Sequence, residues 1–443
     1  MTEMETRTSA GEPSQTASRP TRTSHPLPDT ASRLPQARTV VLAPDSFKES
    51  LSAAEACAAL EAGVLAAWPR ARCLRRPMAD GGEGTVEAVV GAGAAELVEV
   101  VAHDALMRVR RAHIAWDART RTAVVEAAQG PGLEHVAPED RDIWGATSAG
   151  VGEMVLAALD LGARRIVIGL GGSATNDGGS GMLAALGVRF RGGEAHEGDA
   201  VVPVGPRDLV GVEEMELSGL DPRLQEVEII AATDVTNPLL GPHGASEIFG
   251  AQKGASPEDV VLLEEVLSHL ADMGERACGR DLRGAAGAGA ARGLGWACLQ
   301  FLGARMRPGV EVVADLVDLS GAVRGAAIVL TGEGSVDAQT LGGKTPMGVA
   351  RVAAQAGVPV VVLAGRVGAG AEDLLDVGVA AVVPIVREAG DLGEVLAAGG
   401  GNLTAAAEMV CRLIDLGAGT GDAAGTVGTA GTARAVGTAG TAQ

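Results

Sequence analysis

Five times along this chain a short apolar run ends in a turn of glycine with acidic or amide residues, and a helical pattern follows. Apolar runs of this length bounded by turn residues read as buried strands. Strands that alternate with helices build parallel sheets covered on both faces. The fullest case is residues 328–349, IVLTGEGSVDAQTLGGKTPMGV, which turns through Gly332 and Gly334 and brings Glu333, Asp337, Gly343 and Lys344 into one short stretch. Open α/β sheets bind ligands beyond the carboxyl ends of their strands, and carboxylates beside a lysine there suit a metal-bound phosphate. A P-loop needs glycine five positions before its Gly-Lys pair. Before Gly343-Lys344 that position is Ala338, so this is a phosphate-type loop of another kind.

The other four turns follow the same plan. A strand at 39–43 runs into Pro44-Asp45-Ser46-Phe47-Lys48, and Ser52 with Glu55 forms a capping box for a helix whose apolar face is Ala56, Leu60 and Val64. A strand at 74–78 ends in Asp80-Gly81-Gly82-Glu83-Gly84, where glycines let backbone N–H groups approach a ligand and Asp80 is placed to hold a metal. A strand at 165–169 enters Gly171-Gly172-Ser173-Ala174-Thr175-Asn176-Asp177-Gly178-Gly179, and one at 227–232 enters Thr233-Asp234-Val235-Thr236-Asn237-Pro238. For any single carboxylate the alternative reading is a turn or cap residue.

Between these units the texture changes. Residues 96–101, 109–114 and 122–127 alternate as an antiparallel meander, and 147–161 reads as a helix. Ser256-Pro257-Glu258-Asp259 is a helix start with cap, N1 proline and N3 acid, and Leu263, Val266, Leu267, Leu270 and Met273 form its buried stripe. Residues 284–295, GAAGAGAARGLG, read as a flexible loop and a hinge. Strands at 360–363 and 381–385 and a helix at 403–416 complete the pattern. The βα alternation at both ends predicts one doubly wound α/β domain, residues 37–95 and 281–416, with a second α/β domain, 96–280, inserted in it. Residues 1–36 are rich in Ser, Thr and Pro and read as a disordered tail; 417–443 read as a Gly/Ala/Thr low-complexity tail.

Composition excludes several classes of function. The net charge of −20 opposes nucleic acid and anionic membranes as partners. Five cysteines lie far apart without a C-x-x-C pair, and the histidines show no zinc spacing, so neither a disulfide framework nor a zinc site is expected. No apolar run reaches the length of a membrane span, and no secretory signal opens the chain, which predicts a cytoplasmic protein. Aromatics are 2% of residues and tyrosine is absent, so the core must be Ala, Val and Leu packed closely around 64 glycines. Gly169 to Ala174 fits the G-x-G-x-x-A dinucleotide fingerprint, but no acidic residue ends a second strand about twenty residues later.

The turns together suit a magnesium-nucleotide site, because phosphoryl transfer needs positioning, charge neutralisation and a carboxylate to accept a hydroxyl proton. The motifs APDSFK (43–48), MADGGEGT (78–85), GGSATNDGG (171–179), ATDVTNPLLG (232–241), FGAQKGA (249–255) and TGEGSVDAQT (331–340) with Gly343-Lys344 resemble those of the bacterial glycerate kinase family over residues 39–416. The resemblance implies ATP and Mg²⁺ as cofactors and transfer to the 2-hydroxyl of D-glycerate. It also implies a Rossmann-like domain facing an inserted α/β domain across a cleft, and leaves a homodimer open. Glu49, Ser335-Val336 and Arg292 depart from the family pattern. On this reading Lys48 and Lys344 neutralise phosphate or carboxylate, and Asp80, Glu333 and Asp337 hold metal. Gly332, Glu333, Gly334, Asp337 and Gly343 position the nucleotide. Ser46, Gly171, Gly172, Ser173, Thr175, Asn176, Asp234 and Asn237 contact substrate or phosphate. Asp177 is the expected base, with Asp45 second. A kinase of another small hydroxy acid, a nicotinamide oxidoreductase and a non-catalytic binding protein are the alternatives.

Overall fold

Thr39–Leu42 (β1) is wholly apolar after its first residue and lies between two other strands of a sheet covered on both faces. The computed structural model describes residues 38–192, 205–250 and 255–421; the tail expected at 1–36 and all but the first five residues of that expected at 417–443 lie outside the described residues, as do Gln252 and Lys253. β1 pairs in parallel with β2 (Arg72–Arg75) on one side and β11 (Ile328–Val336) on the other. β12 (Val360–Val367) and β13 (Val379–Pro384) extend this sheet beyond β11, giving the all-parallel order β13-β12-β11-β1-β2.

The second sheet has six strands, in the order β10-β9-β6-β5-β4-β3. The strands β3 (Glu96–His103), β4 (Val109–Asp117) and β5 (Thr122–Glu126) form the expected antiparallel meander. From β5 the pairing turns parallel through β6 (Arg165–Gly169), β9 (Glu228–Ala232) and β10 (Arg305–Arg307). A separate pair, β7 (Arg189–Arg191) and β8 (Glu214–Glu216), is antiparallel.

Helices cover both faces of both sheets. On the outer face of the first sheet lie α1 (Ala53–Ala67), α12 (Leu392–Ala397) and α13 (Gly399–Gly421), where Leu60, Val64, Leu403 and Ala407 pack on Val40, Leu42, Leu330 and Leu363. The outer face of the second sheet carries α3 (Ala149–Asp160), α4 (Ser180–Ala185), α7 (Pro257–Cys278) and α8 (Leu294–Phe301), with short α5 (Pro206–Leu209) and α6 (Ala245–Phe249) beside them. Between the sheets runs one shared layer: α2 (Thr85–Gly91), α9 (Gly309–Leu316), α10 (Leu319–Val323) and α11 (Thr345–Gln355). Its side chains meet Val41, Val329 and Val362 from the first sheet and Val124, Val167 and Ile230 from the second in a single core.

Local signals placed the helix starts well. Ser52 accepts from the Glu55 amide and Glu55 from the Ser52 amide; Ser256 and Asp259 do the same at α7. Leu263, Leu267, Leu270 and Met273 are buried, and Val266 packs partly buried beside them. Four expectations shift. The second strand is Arg72–Arg75 rather than 74–78, because Pro77 cannot donate to a ladder. The last helix is α13, longer at both ends than 403–416. β10 and α8 belong with the second sheet, so the chain returns to the first only after residue 307, not at 281. The glycine-alanine segment at 284–295 is no free hinge: Ala288, Ala290 and Leu294 are fully buried in the second core.

Close helix packing explains one glycine. A Cβ on Gly63 of α1 would lie 2.2 Å from the Thr404 carbonyl oxygen of α13. In an exposed helix, Gly→Ala would stabilise by about 1 kcal/mol. Here Gly63→Ala should instead destabilise by about 1–3 kcal/mol through overpacking, read as a lower midpoint in urea unfolding.

Candidate functional site

The carboxyl ends of β1, β2 and β11 present three of the acidic loops side by side. The Asp45 amide donates to the Gly332 carbonyl at 2.8 Å, and the Thr331 hydroxyl to the Ala43 carbonyl at 2.7 Å, so the loop after β1 is stitched to β11, which continues through Gly332 and Gly334 where a turn was expected because it keeps pairing with β12. Asp45 accepts from the Ser46 amide at 2.6 Å and, with its other oxygen, from the Thr345 hydroxyl at 2.5 Å. Burial pushes its carboxyl up to about 6, and the nearby Asp80 carboxylate adds to the rise.

Glu333 lies within β11 itself, where the pleat turns it inward. The Thr340 hydroxyl donates to it at 3.0 Å, and Lys344 Nζ stands 3.9 Å from the same oxygen. Burial still lifts Glu333 to about 7, outweighing the pull of Lys344, with Asp45 and Asp337 pushing the same way. Lys344 is the N-cap of α11, with its side chain 39% exposed, and so leaves a cation free to face a ligand. The Lys48 side chain is exposed, and its backbone passes close to Gly334. Asp337 is an N-cap: one oxygen accepts from the Gln339 amide at 3.0 Å.

The second sheet contributes Asp234, which accepts from the Gly309 amide at 3.1 Å and is raised by burial to about 6, with Asp80 and Glu311 adding repulsion. Asp80 stands between these groups, exposed, with one oxygen bonded to the Gly82 amide at 3.0 Å. Asp45, Asp80, Asp234 and Glu333 thus form one electrostatically linked set across the two strand-end edges. Their mutual repulsion favours a cation among them.

The two edges meet backbone to backbone. A Cβ on Gly171 would lie 2.5 Å from the Gly82 Cα, and one on Gly309 would lie 1.7 Å from the Asp80 carbonyl oxygen. Only glycine fits either place. The glycines of 169–171 are therefore packed against loop 80–84 and do not face open space.

Beyond this seam the 171–179 loop turns inward. Asp177 is 0% exposed and accepts four hydrogen bonds: from the Ser148 amide at 2.8 Å, the Ser148 hydroxyl at 2.7 Å, and the Gly181 and Gly179 amides at 3.1 Å. Its carboxylate holds the starts of α3 and α4 and has no route to a substrate hydroxyl, so the expected base role does not fit it. Thr175 and Asn176 are likewise buried, and Asn176 donates to the Ser246 hydroxyl at 3.2 Å. Ser173 is buried at the loop's near end. Asn237 donates to the His243 carbonyl at 2.9 Å and braces its own turn.

Several residues of the site had no mark in the local pattern. Thr345 and Thr340 orient Asp45 and Glu333 from across turns. Glu126, at the end of β5, accepts from the Gly84 and Val86 amides at 3.0 and 3.1 Å and so caps α2, whose own N-cap is a glycine without a side chain. A lone glutamate closing an apolar strand was the available signal.

Magnesium takes hard oxygen ligands, commonly one or two carboxylates completed by water and phosphate. Asp80, Asp45 and Asp234 offer such donors. Among the described residues no three His, Cys, Asp or Glu side chains converge into a ready-made cage. Of the expected metal set, Asp337 caps a 3₁₀ turn and Glu333 shares an oxygen with Thr340, which leaves Asp80 the freest.

The sequence model of the glycerate kinase family matches residues 40–415. A glycerate kinase of Haemophilus influenzae is 43% identical over 84% of this chain and 98% of its own length. A glycerate 2-kinase of Escherichia coli is 40% identical over 85% and 98%. A crystal structure assigned as glycerate kinase 2 from Salmonella typhimurium LT2 superposes with a TM-score of 0.76 at 41% identity, covering 86% of this chain and 99% of that one.

Two outcomes follow from the buried carboxylates. Asp177→Asn turns an NH2 donor toward groups that themselves donate and should destabilise the fold by about 2–4 kcal/mol, while the turnover of the remaining folded enzyme stays within a few-fold. A loss of turnover in fully folded protein would return Asp177 to the chemistry. Glu126 is raised by burial from 4.5 to about 7, so between those values the folded protein binds a proton that the unfolded chain has released. Stability therefore falls as pH rises through that window. Urea unfolding at pH 5 and 8 should show a smaller loss in Glu126→Gln than in the unaltered protein.

Proposed function

The chain belongs to the glycerate kinase family, and from that premise we propose that it transfers the γ-phosphoryl of ATP to the 2-hydroxyl of D-glycerate, giving 2-phosphoglycerate and ADP. The enzyme is an ATP-dependent kinase. The observation that carries the finer reading is the linked set Asp45, Asp80, Asp234 and Glu333, flanked by Lys48 and Lys344, where the strand ends of both sheets meet.

Asp45 is the base in this reading. It is partly buried, held by Ser46 and Thr345, and raised to about 6, the basicity that suits accepting a hydroxyl proton near neutrality. Lys344 and the Gly332–Gly334 stretch of β11 face the nucleotide phosphates, and Lys48 stands beside them as a second counter-charge. Asp80 and Asp234 would hold Mg²⁺, which when bound neutralises phosphate oxygens. The dinucleotide fingerprint at Gly169 to Ala174 supports no oxidoreductase reading, since Gly81 and Gly82 fill the space a pyrophosphate would take. We place the reaction in the cytoplasm, consistent with five unpaired cysteines; among the described residues no helix is long and apolar enough to cross a membrane.

Purified protein with Mg-ATP should release ADP only when D-glycerate is present, with a 2-phosphoglycerate signal in phosphorus NMR. A 3-phosphoglycerate signal would overturn the hydroxyl assignment and leave the kinase. Asp45→Asn should lower kcat at least a hundredfold with the ATP KM little changed; an active Asp45→Asn enzyme sinks the base assignment.

A further inference from the structure

β11 has a neighbour on each side, and the mechanism above uses only β1, the one that carries Asp45. The other, β12, runs beside it to Val336. In that ladder Glu333 pairs with Ala364 and Ser335 with Arg366. Side chains alternate along a strand, so Glu333, Ser335, Ala364 and Arg366 share one face. Val362 and Ala364 on that face are buried in the core shared with α11, which makes it the face toward Lys344. Arg366 is the next residue outward on it and is exposed. Two residues of about 3.3 Å and one strand spacing of about 4.8 Å put its Cα roughly 8 Å from that of Glu333.

The backbone holds this position firmly. A Cβ on Gly365 would lie 2.6 Å from the Gly334 carbonyl oxygen, so the strands run in close contact and residue 366 is fixed beside 335. The guanidinium lies over the turn that follows: a Cβ on Gly368 would be 3.9 Å from its Cζ and 3.0 Å from the Asp337 Cβ. Asp337 does not take up the charge. It accepts from the Gln339 amide, and among the described residues the Arg366 side chain forms no ion pair and no hydrogen bond. Cations thus flank the end of β11 on three sides. Lys48 passes on the β1 side, where a Cβ on Gly334 would lie 3.4 Å from its amide nitrogen. Lys344 stands at the start of α11, and Arg366 closes the β12 side.

We propose that Arg366 binds the nucleotide at its α- and β-phosphates and so fixes the direction in which ATP lies along the sheet edge. On the kinase reading above, on which this assignment rests, the γ-phosphoryl points to Asp45 at the end of β1. β12 stands on the far side of β11, two strand spacings or about 10 Å from β1. A triphosphate laid across β11 from Asp45 therefore brings its adenosine end to Arg366. The guanidinium offers paired N–H donors to phosphate oxygens, and Ser335 across the ladder is small enough to leave it room.

The test measures Mg-ADP binding by calorimetry, beside ATP and D-glycerate kinetics, in the full chain. It compares Arg366→Ser, Arg366→Lys and a double variant that joins Arg366→Ser to Ser335→Arg. Arg366→Ser should raise the Mg-ADP Kd and the ATP KM each at least tenfold, with kcat and the D-glycerate KM within threefold. Arg366→Lys should recover part of the loss. The double variant should recover most of it, because it returns a guanidinium to the same face from the paired strand; a merely structural effect would not be reversed that way. An unchanged Mg-ADP Kd in Arg366→Ser would overturn the proposal. A loss confined to ATP would overturn it too, by moving Arg366 to the γ-phosphate, and so would a loss that neither Arg366→Lys nor the double variant reverses. Unaltered protein that binds Mg-ADP yet releases no glycerate-dependent ADP would overturn the acceptor reading alone, and the Mg-ADP comparison would still decide Arg366.

Discussion

The backbone contact between Gly82 and Gly171 is the constraint on which the site depends. One residue follows a strand of the five-stranded sheet and the other follows a strand of the six-stranded sheet, so their contact sets the distance between the two carboxyl edges. A side chain at Gly171 would force that seam open. The seam also carries Asp80 to the place where it feels both Asp45 and Asp234. Burial raises two of these carboxyls and repulsion from Asp80 adds to the rise, and a site that must accept a metal nucleotide gains from holding its carboxylates close.

The shared helical layer makes the seam durable. α2, α9, α10 and α11 bury apolar side chains against both sheets at once, so neither sheet has a core of its own on that side. Glu126 reinforces this from the second sheet by capping α2, the helix that the loop 80–84 leads into. The burial of Ala288, Ala290 and Leu294 fits the same picture, since the expected hinge segment is a wedge in the second core. Lys48 and Lys344 stand exposed at the edge of this framework.

Much of the fold was legible because it is local. Ser52 and Ser256 announced α1 and α7 through capping boxes whose partners lie three residues away. Alternation marked the meander of β3, β4 and β5, and continuous apolar runs marked β1, β6, β9 and β11. β10 was missed because Arg305–Arg307 is only three residues, too short to show a pattern, and is held by pairing with β9. In the site, Asp45, Asp80, Asp234, Glu333 and Lys344 do lie together as the loop pattern suggested. Asp177 looked equivalent to them by sequence and is not.

The chain by itself determined the units: strands ending in glycine and acid, capped helices, an Ala/Val/Leu core, and a set of motifs specific to one family. Those features depend on neighbours a few residues away or on composition, which a linear sequence displays directly. Only the tertiary structure decided which carboxylate faces the cleft and which is locked under four hydrogen bonds. It also decided that the glycines of 169–171 pack on protein and that Arg292 lies buried behind Ser173. Burial and partner identity are set by residues far apart in the chain, such as Asp45 with Thr345 and Arg292 with Ser173, and no local pattern carries that information.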